Sequence, residues 1–332
     1  MKTITGVSLA FILHASFYAP TFVSAATSQP FTQEHANSPT AAVWQSTQAE
    51  HVYGFPEIKH NKKGTLTLNP NALTFTAKSG SASVSRSSVT AVSAGNQRVE
   101  IWGIPGKLLR MTIPDGGGSA AAAVMHHRVD LLTVEFNDNK GGKRSAVFFL
   151  PANEAEHALQ NFALAPTLNR QVSDTNCQNA PIEPKSVLVS APDWSNAKVP
   201  AAYRALVYEH LIDRLQHARD VEHVYRDGEN DGRGTCPEYT VHISIVTFKQ
   251  GDSVKRAALG SIGEFVGTTQ MKFDVTITDA SGKLNISKQI TATMRGETED
   301  TDVADQVAKT VAKRYVAILN RAEKAAINTP KA

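Results

Sequence analysis

The chain reads as an α+β protein in two folded halves. The first is a small β-barrel closed by a C-terminal helix. The second is an α+β sandwich, an antiparallel sheet with two helices on one face. Three observations predict this. Residues 52–150 hold about seven short alternating segments broken by turn residues, and one amphipathic helical pattern follows them. Residues 186–324 run in the order strand, helix, three long alternating strands, helix. Residues 165–185, between the two, are polar, hold Pro166, Pro181 and Pro184 and show no period, as a linker does.

Taken in order, residues 1–25 have the layout of a secretory signal peptide. Lys2 gives a basic start, an apolar run follows, and Val23-Ser24-Ala25 is a small-residue ending that predicts cleavage after Ala25. The apolar run is too short to span a bilayer and contains His14. No cysteine stands near the cut to accept a lipid anchor, so membrane attachment is not expected and the place of action is periplasmic or secreted. Residues 26–50, rich in Ser, Thr, Gln, Ala and Pro, read as a flexible leader. The barrel is assigned to 51–164. Its clearest piece is a hairpin, GTLTL and ALTFTA around Asn69-Pro70-Asn71, with Leu66, Leu68, Leu73 and Phe75 spaced by two. Strands are also expected at 82–85, 89–94, 98–102 and 107–113, and a last hairpin pairs VDLLTVEF with KRSAVFFL. Asn153 and Glu156 form a capping-box pattern at the start of the closing helix, whose stripe is Ala155, Leu159, Phe162 and Ala163.

The segments GTLTLNPNALTFTA and LLTVEF…AVFFLPANEAEHALQNF make this half resemble the bacterial pleckstrin-homology-like and GRAM-type domains. The resemblance implies a barrel with one open end plugged by its last helix and a surface that binds partners. The insertion DGGGSAAAAV at 115–124 departs from that pattern.

In the second half, 186–324, a strand at 186–191 precedes a helix from Pro200 to Ala218, with Tyr203, Leu206, Val207, Leu211 and Leu215 on one face. Three alternating strands follow, carrying Val241, Ile243 and Ile245, then Phe273, Val275 and Ile277, then Ile286, Ile290 and Ala292. The last helix, 302–324, bears the stripe Val303, Val307, Val311, Tyr315 and Ile318, with acids before it and Arg321 and Lys324 at its end, which suits the helix dipole. Residues 325–332 read as a disordered tail. The stretch KRAALGSIGEFVGTTQMKFDVTITDASGK makes this half resemble a bacterial family of exported proteins and lipoproteins of unassigned function.

Composition excludes several classes. Apolar residues make up 41% and charged residues 20%, values of a globular protein. A formal net charge of +3, with bases and acids interleaved, is no nucleic-acid footprint. The two cysteines, Cys177 and Cys236, read as one disulfide in an oxidising compartment, worth about 4 kcal/mol in the chain-entropy model.

Motifs for chemistry are few. Leu259-Gly260-Ser261-Ile262-Gly263 has Leu in place of the first Gly of a nucleophile elbow, and Gly142-Lys143-Arg144-Ser145 lacks the upstream Gly of a phosphate loop. His126 and His127 are adjacent in a strand and point to opposite faces. His210, Asp213 and His217 stand three and four apart on one helix, close enough to share a face toward a metal. The sharpest pattern is Asp227, Glu229, Asp231, Gly232 and Glu238, which matches the oxygen spacing of a calcium loop. Against calcium stand the long Glu229, Gly234 where an aliphatic side chain usually packs, and Pro237 leading into a strand. The reading that results is an exported cell-envelope binding or assembly module without catalytic activity or an obligate cofactor, whose partner is another envelope protein or a peptide. The alternatives are a periplasmic hydrolase using His210, Asp213 or Ser261 between the halves, and a peripheral lipid binder using Lys59, Lys62 and Lys63.

Overall fold

The structure, a computed structural model, describes residues 43–100, 126–162, 180–194, 197–230, 232, 234–252, 267–294 and 301–328. These all belong to one compact unit. It holds a curled seven-stranded antiparallel sheet, a second sheet of five strands and three helices, so the class is mixed α+β.

The first sheet has the order β4-β3-β2-β1-β7-β6-β5. Its strands are β1 (Trp44–Tyr53), β2 (Lys62–Leu68), β3 (Ala72–Ala77), β4 (Gly80–Ser85), β5 (Val89–Glu100), β6 (His126–Asn137) and β7 (Lys143–Leu150). The expected hairpin is β2–β3, with Leu66 opposite Phe75 and Leu68 opposite Leu73, all four wholly buried. Residues 107–113 and the 115–124 insertion lie outside the described residues.

Two expectations are corrected here. The segment read as a leader to residue 50 already contains β1, which is central in the sheet and pairs with both β2 and β7. Its sequence hides this because the inward positions are Ser46, Ala49, His51 and Tyr53 rather than aliphatic residues. The strands expected at 89–94 and 98–102 are one strand, β5, paired without a break from Ala91 to Glu100 against β6.

Helix α1 (Glu154–Phe162) closes one side of this sheet, burying Ala155, Ala158 and Phe162 among Leu66, Phe75, Phe148 and Leu150. Burial of Phe162 alone is worth about 1.5–3 kcal/mol. The capping at its start comes from Asp130, a buried residue of β6 whose Oδ2 accepts the Ala155 N–H at 3.2 Å, while Asn153 takes a left-handed turn conformation at φ 72°. Arg86 donates to the carbonyls of Asn161 (3.0 Å) and Phe162 and so satisfies the helix C-terminus.

The second sheet has the order β12-β11-β10-β8-β9, with β8 (Ile182–Val189), β9 (His223–Arg226), β10 (Cys236–Lys249), β11 (Thr269–Asp279) and β12 (Asn285–Met294). It is mixed, not antiparallel as the sequence suggested. β8 pairs parallel with both β9 and β10, while β10–β11–β12 is the expected antiparallel meander. The parallel pairs follow from the crossover through α2 (Ala201–Gln216), which returns the chain so that β9 runs alongside β8. The four residues of β9 carry too little alternation to be read from sequence. β12 is an edge, and Lys288, opposite the buried Val275, places a charge on its core-facing side, a device that discourages edge-to-edge pairing.

Helices α2 and α3 (Asp302–Asn328) pack on each other and on this sheet, over Val241, Ile243, Met271, Phe273, Val275 and Ile277. α3 extends four residues past the expected boundary at 324. Residues 205–209 of α2 are buried without exception, so the middle of this helix leaves no face to solvent. Its second side packs against the first sheet, and Tyr53, Val129, Leu131, Val147 and Phe149 join the same core. α2 is the layer between the two sheets.

Candidate functional site

Two clusters of ionisable groups lie where α2 meets the first sheet. The deeper one centres on Glu209, which α2 places against the start of β7. Its Oε1 accepts the Ser145 N–H at 2.8 Å and Arg226 Nη1 at 3.0 Å, and its Oε2 accepts Arg226 Nη2 at 2.8 Å. Arg226 Nη1 also donates to the Lys143 carbonyl at 3.0 Å. The two side chains are 4% and 7% exposed. Burial disfavours the charged guanidinium, but the adjacent Glu209 carboxylate more than offsets this and holds Arg226 above its ordinary value. This bidentate pair ties β7, α2 and β9 together. Close backbone approach supports it: Gly54 has φ 111°, and a Cβ there would lie 2.0 Å from the Ser145 carbonyl oxygen.

Two acids of the calcium-like pattern, Asp227 and Glu229, follow Arg226 closely and are held by cationic and backbone donors. Asp227 Oδ2 accepts from Lys143 Nζ at 2.9 Å and the Ala191 N–H at 3.1 Å. Glu229 accepts the Arg226 N–H at 3.0 Å and stands 3.5 Å from Lys140 Nζ. Glu238, on β10, accepts the Lys185 N–H at 2.6 Å. Asp231 lies outside the described residues. Among the described residues no three His, Cys, Asp or Glu side chains gather as a metal site. The loop after β9 instead docks on the β6–β7 turn, through Lys143 N–H to Asp227 O at 2.9 Å and Asn230 N–H to Lys140 O at 2.9 Å.

The second cluster is a stack of three rings. His60 lies parallel to Tyr53 with centroids 4.1 Å apart, and His210 of α2 meets the Tyr53 ring, also at 4.1 Å. The Tyr53 hydroxyl bonds the Asp213 carboxylate, and burial followed by that negative charge pushes its pKa up, so Tyr53 stays a neutral donor. Arg214 Nη2 and Nε reach Asp305 Oδ1 at 2.5 and 3.1 Å, and His210 Nδ1 stands 3.7 Å from the same oxygen. Burial lowers His210 to about 4 despite the attraction of Asp305, so its ring is neutral at pH 7. The trio His210, Asp213 and His217 does not gather as a three-residue metal group: His217 is exposed, and its Nδ1 lies 2.7 Å from the Asp213 carbonyl oxygen and 3.5 Å from Asp213 Oδ1. Sequence reading missed His51. It is wholly buried, its Nε2 accepts the Phe55 N–H at 3.1 Å, and burial lowers its pKa to about 4. Its place among Phe55, Phe75 and Phe148 makes it a core residue.

Beyond the ring stack a groove of about 580 Å³ opens between the end of α2 and α3. Lys309, Lys313 and His217 are exposed on its rim, and Ala218, Ala312 and Val316 are buried or half-buried at its base. Asp213 and Arg214 form the end nearest the stack. Ser261 and its loop, and Cys177, lie outside the described residues; Cys236 is wholly buried as the first residue of β10. Among the described residues no helix is long and apolar enough to cross a membrane.

No family model and no curated protein matches the chain. Among solved structures it is similar to the dodecamer of a PelC point variant from Paraburkholderia phytofirmans. The identity is 13% and the TM-score 0.27, over 40% of this chain and 86% of that one. A second structure, of an uncharacterised protein, is 9% identical with a TM-score of 0.24, over 43% of this chain and 97% of that one. At these scores neither likeness bears on the role of this chain.

Proposed function

We propose that this protein is an exported, non-catalytic binding or assembly module of the bacterial cell envelope, with a signal peptide removed after Ala25 and a partner that is an envelope protein or peptide. The observation that carries the reading is how the ionisable groups of the seam are used. Glu209 and Arg226 neutralise each other between the sheets, Tyr53 is held protonated by burial and by Asp213, and His210 is packed neutral against Tyr53. These groups serve cohesion between layers, and a rigid body with surface grooves suits recognition.

The strand order of the first sheet, followed by a helix that buries Phe162 in its core, supports the finer reading of a pleckstrin-homology-like barrel plugged by its C-terminal helix. Fold analogy of that kind speaks to architecture and not to role. Crosslinking and co-purification from envelope fractions test the function: a reproducible partner is expected. A hydrolytic activity on an ester, phosphate or glycoside panel that disappears in His210→Ala would overturn the proposal.

A further inference from the structure

The groove between α2 and α3 combines an apolar base with a charged rim. Its base is made of small apolar side chains, Ala218, Ala312 and Val316, and its exposed rim is basic. Lys309 and Lys313 are one helical turn apart and project on the same side of α3. At the other end Arg214 is paired with Asp305, and Asp213 keeps its negative charge because the Tyr53 hydroxyl beside it is neutral, so the basic part of the groove is the α3 rim that carries the two lysines. The β1–β2 connection lies near the Asp213 end but contributes no lining residue. His60 stacks on Tyr53, whose hydroxyl meets Asp213, and this brings the loop bearing exposed Lys59 up to the Asp213 end.

We propose that this groove docks an acidic amphipathic segment of a partner protein, with small or aliphatic side chains against Ala312 and Val316 and carboxylates against Lys309 and Lys313. The inference rests on the binding-module reading and names the partner chemistry for it. A helix laid in a groove presents such a pattern, with anchors every three or four residues. Electrostatic complementarity of this kind sets the rate and specificity of association. A flat anionic membrane fits the same charge less well. The surface is concave, and the large exposed apolar residues Val43, Ile182 and Trp194, which could insert into lipid, are not among its lining residues.

The test uses the purified chain and a fluorescein-labelled amphipathic helical peptide of Glu, Leu and Ala, followed by anisotropy. A counterpart with Lys for Glu and vesicles of phosphatidylglycerol with phosphatidylcholine are run in parallel. The acidic peptide is expected to bind and the basic one not to, with affinity falling as salt rises. The double reversal Lys309→Glu/Lys313→Glu should weaken binding about tenfold or more. Both side chains are exposed, so the variant should fold, and an unchanged thermal melt verifies this. Lys288→Glu, on β12 and outside the groove, should leave binding unchanged. Binding indifferent to the double reversal, or equal for both peptides, overturns the proposal. So does vesicle co-sedimentation that depends on Lys309 and Lys313 while the peptide stays free, since that makes the surface a lipid site. If the peptide fails but envelope crosslinking finds a partner whose contacts avoid α3, the groove assignment falls and the binding-module reading stands. If neither finds a ligand, both fall.

Discussion

Replacing Glu209 by Gln removes one charge from a pair that is almost wholly out of water, and the structure sets the size of the effect. Glu209 is 3% exposed and Arg226 is 6% exposed, so solvent does little to screen what is left. The Gln carbonyl can still accept the Ser145 N–H, so the loss falls on the guanidinium. A buried cation deprived of its counter-charge costs about 3–5 kcal/mol. Against a typical folding stability of roughly 5–15 kcal/mol, that is a large share. Arg226→Met in the Glu209→Gln background removes the unpaired charge and should recover part of the loss. It leaves the Lys143 carbonyl without its donor, a residual cost of about 1–3 kcal/mol. Urea melts of wild type, both single variants and the double variant give the cycle, with an expected coupling of about 1.5 kcal/mol or more. A Glu209→Gln variant that loses less than about 1 kcal/mol, or variants whose effects simply add, would refute the view that this pair joins the sheets.

Acid should destabilise the fold. His51 and His210 are lowered to about 4 by burial, whereas the unfolded chain takes up their protons near 6.5, so their full stability is present above about pH 6.5 and is lost as pH falls toward 4. Each contributes at most about 3 kcal/mol, and His210→Phe should flatten the dependence seen in melts between pH 7 and 4.5. Millimolar Ca²⁺ should leave the melting temperature unchanged, while Asp227→Ala should lower stability in buffer alone because Lys143 and the Ala191 N–H lose their acceptor; a rise in melting temperature with Ca²⁺, absent in Asp227→Ala, would reverse this. Non-reducing mass analysis of secreted protein should yield a Cys177–Cys236 peptide, and two freely alkylated cysteines would count against the bridge.

The sequence revealed elements whose signal is local and concealed those whose signal lies in their partners. The β2–β3 hairpin and the β10–β12 meander could be read because Leu66, Phe75, Val241, Ile243, Phe273 and Val275 alternate with polar residues. α3 could be read from its stripe. β1 could not, because its inward residues are Ser46, Ala49, His51 and Tyr53, and it is a strand by virtue of β2 and β7 on either side. The parallel pairing of β8 with β9 depends on where α2 returns the chain, which no short window shows.

The seam was invisible for the same reason. Ser145, Glu209 and Arg226 are far apart in the chain, as are Tyr53 and Asp213, and only packing of α2 between two sheets brings them together. The acids of the calcium-like loop were real features, but Lys140 and Lys143 from a distant hairpin supply charges that spacing alone could not anticipate.

Native-state hydrogen exchange followed by mass spectrometry tests most directly whether the ionisable groups of the seam serve to hold one body together. In wild type, amides of β7, α2 and β9 should open with a common free energy, and Glu209→Gln should lower all three together. Protection of β7 that is indifferent to Glu209→Gln while α2 and β9 loosen would contradict the account, because the first sheet would then stand independently of the helix that is held to join it.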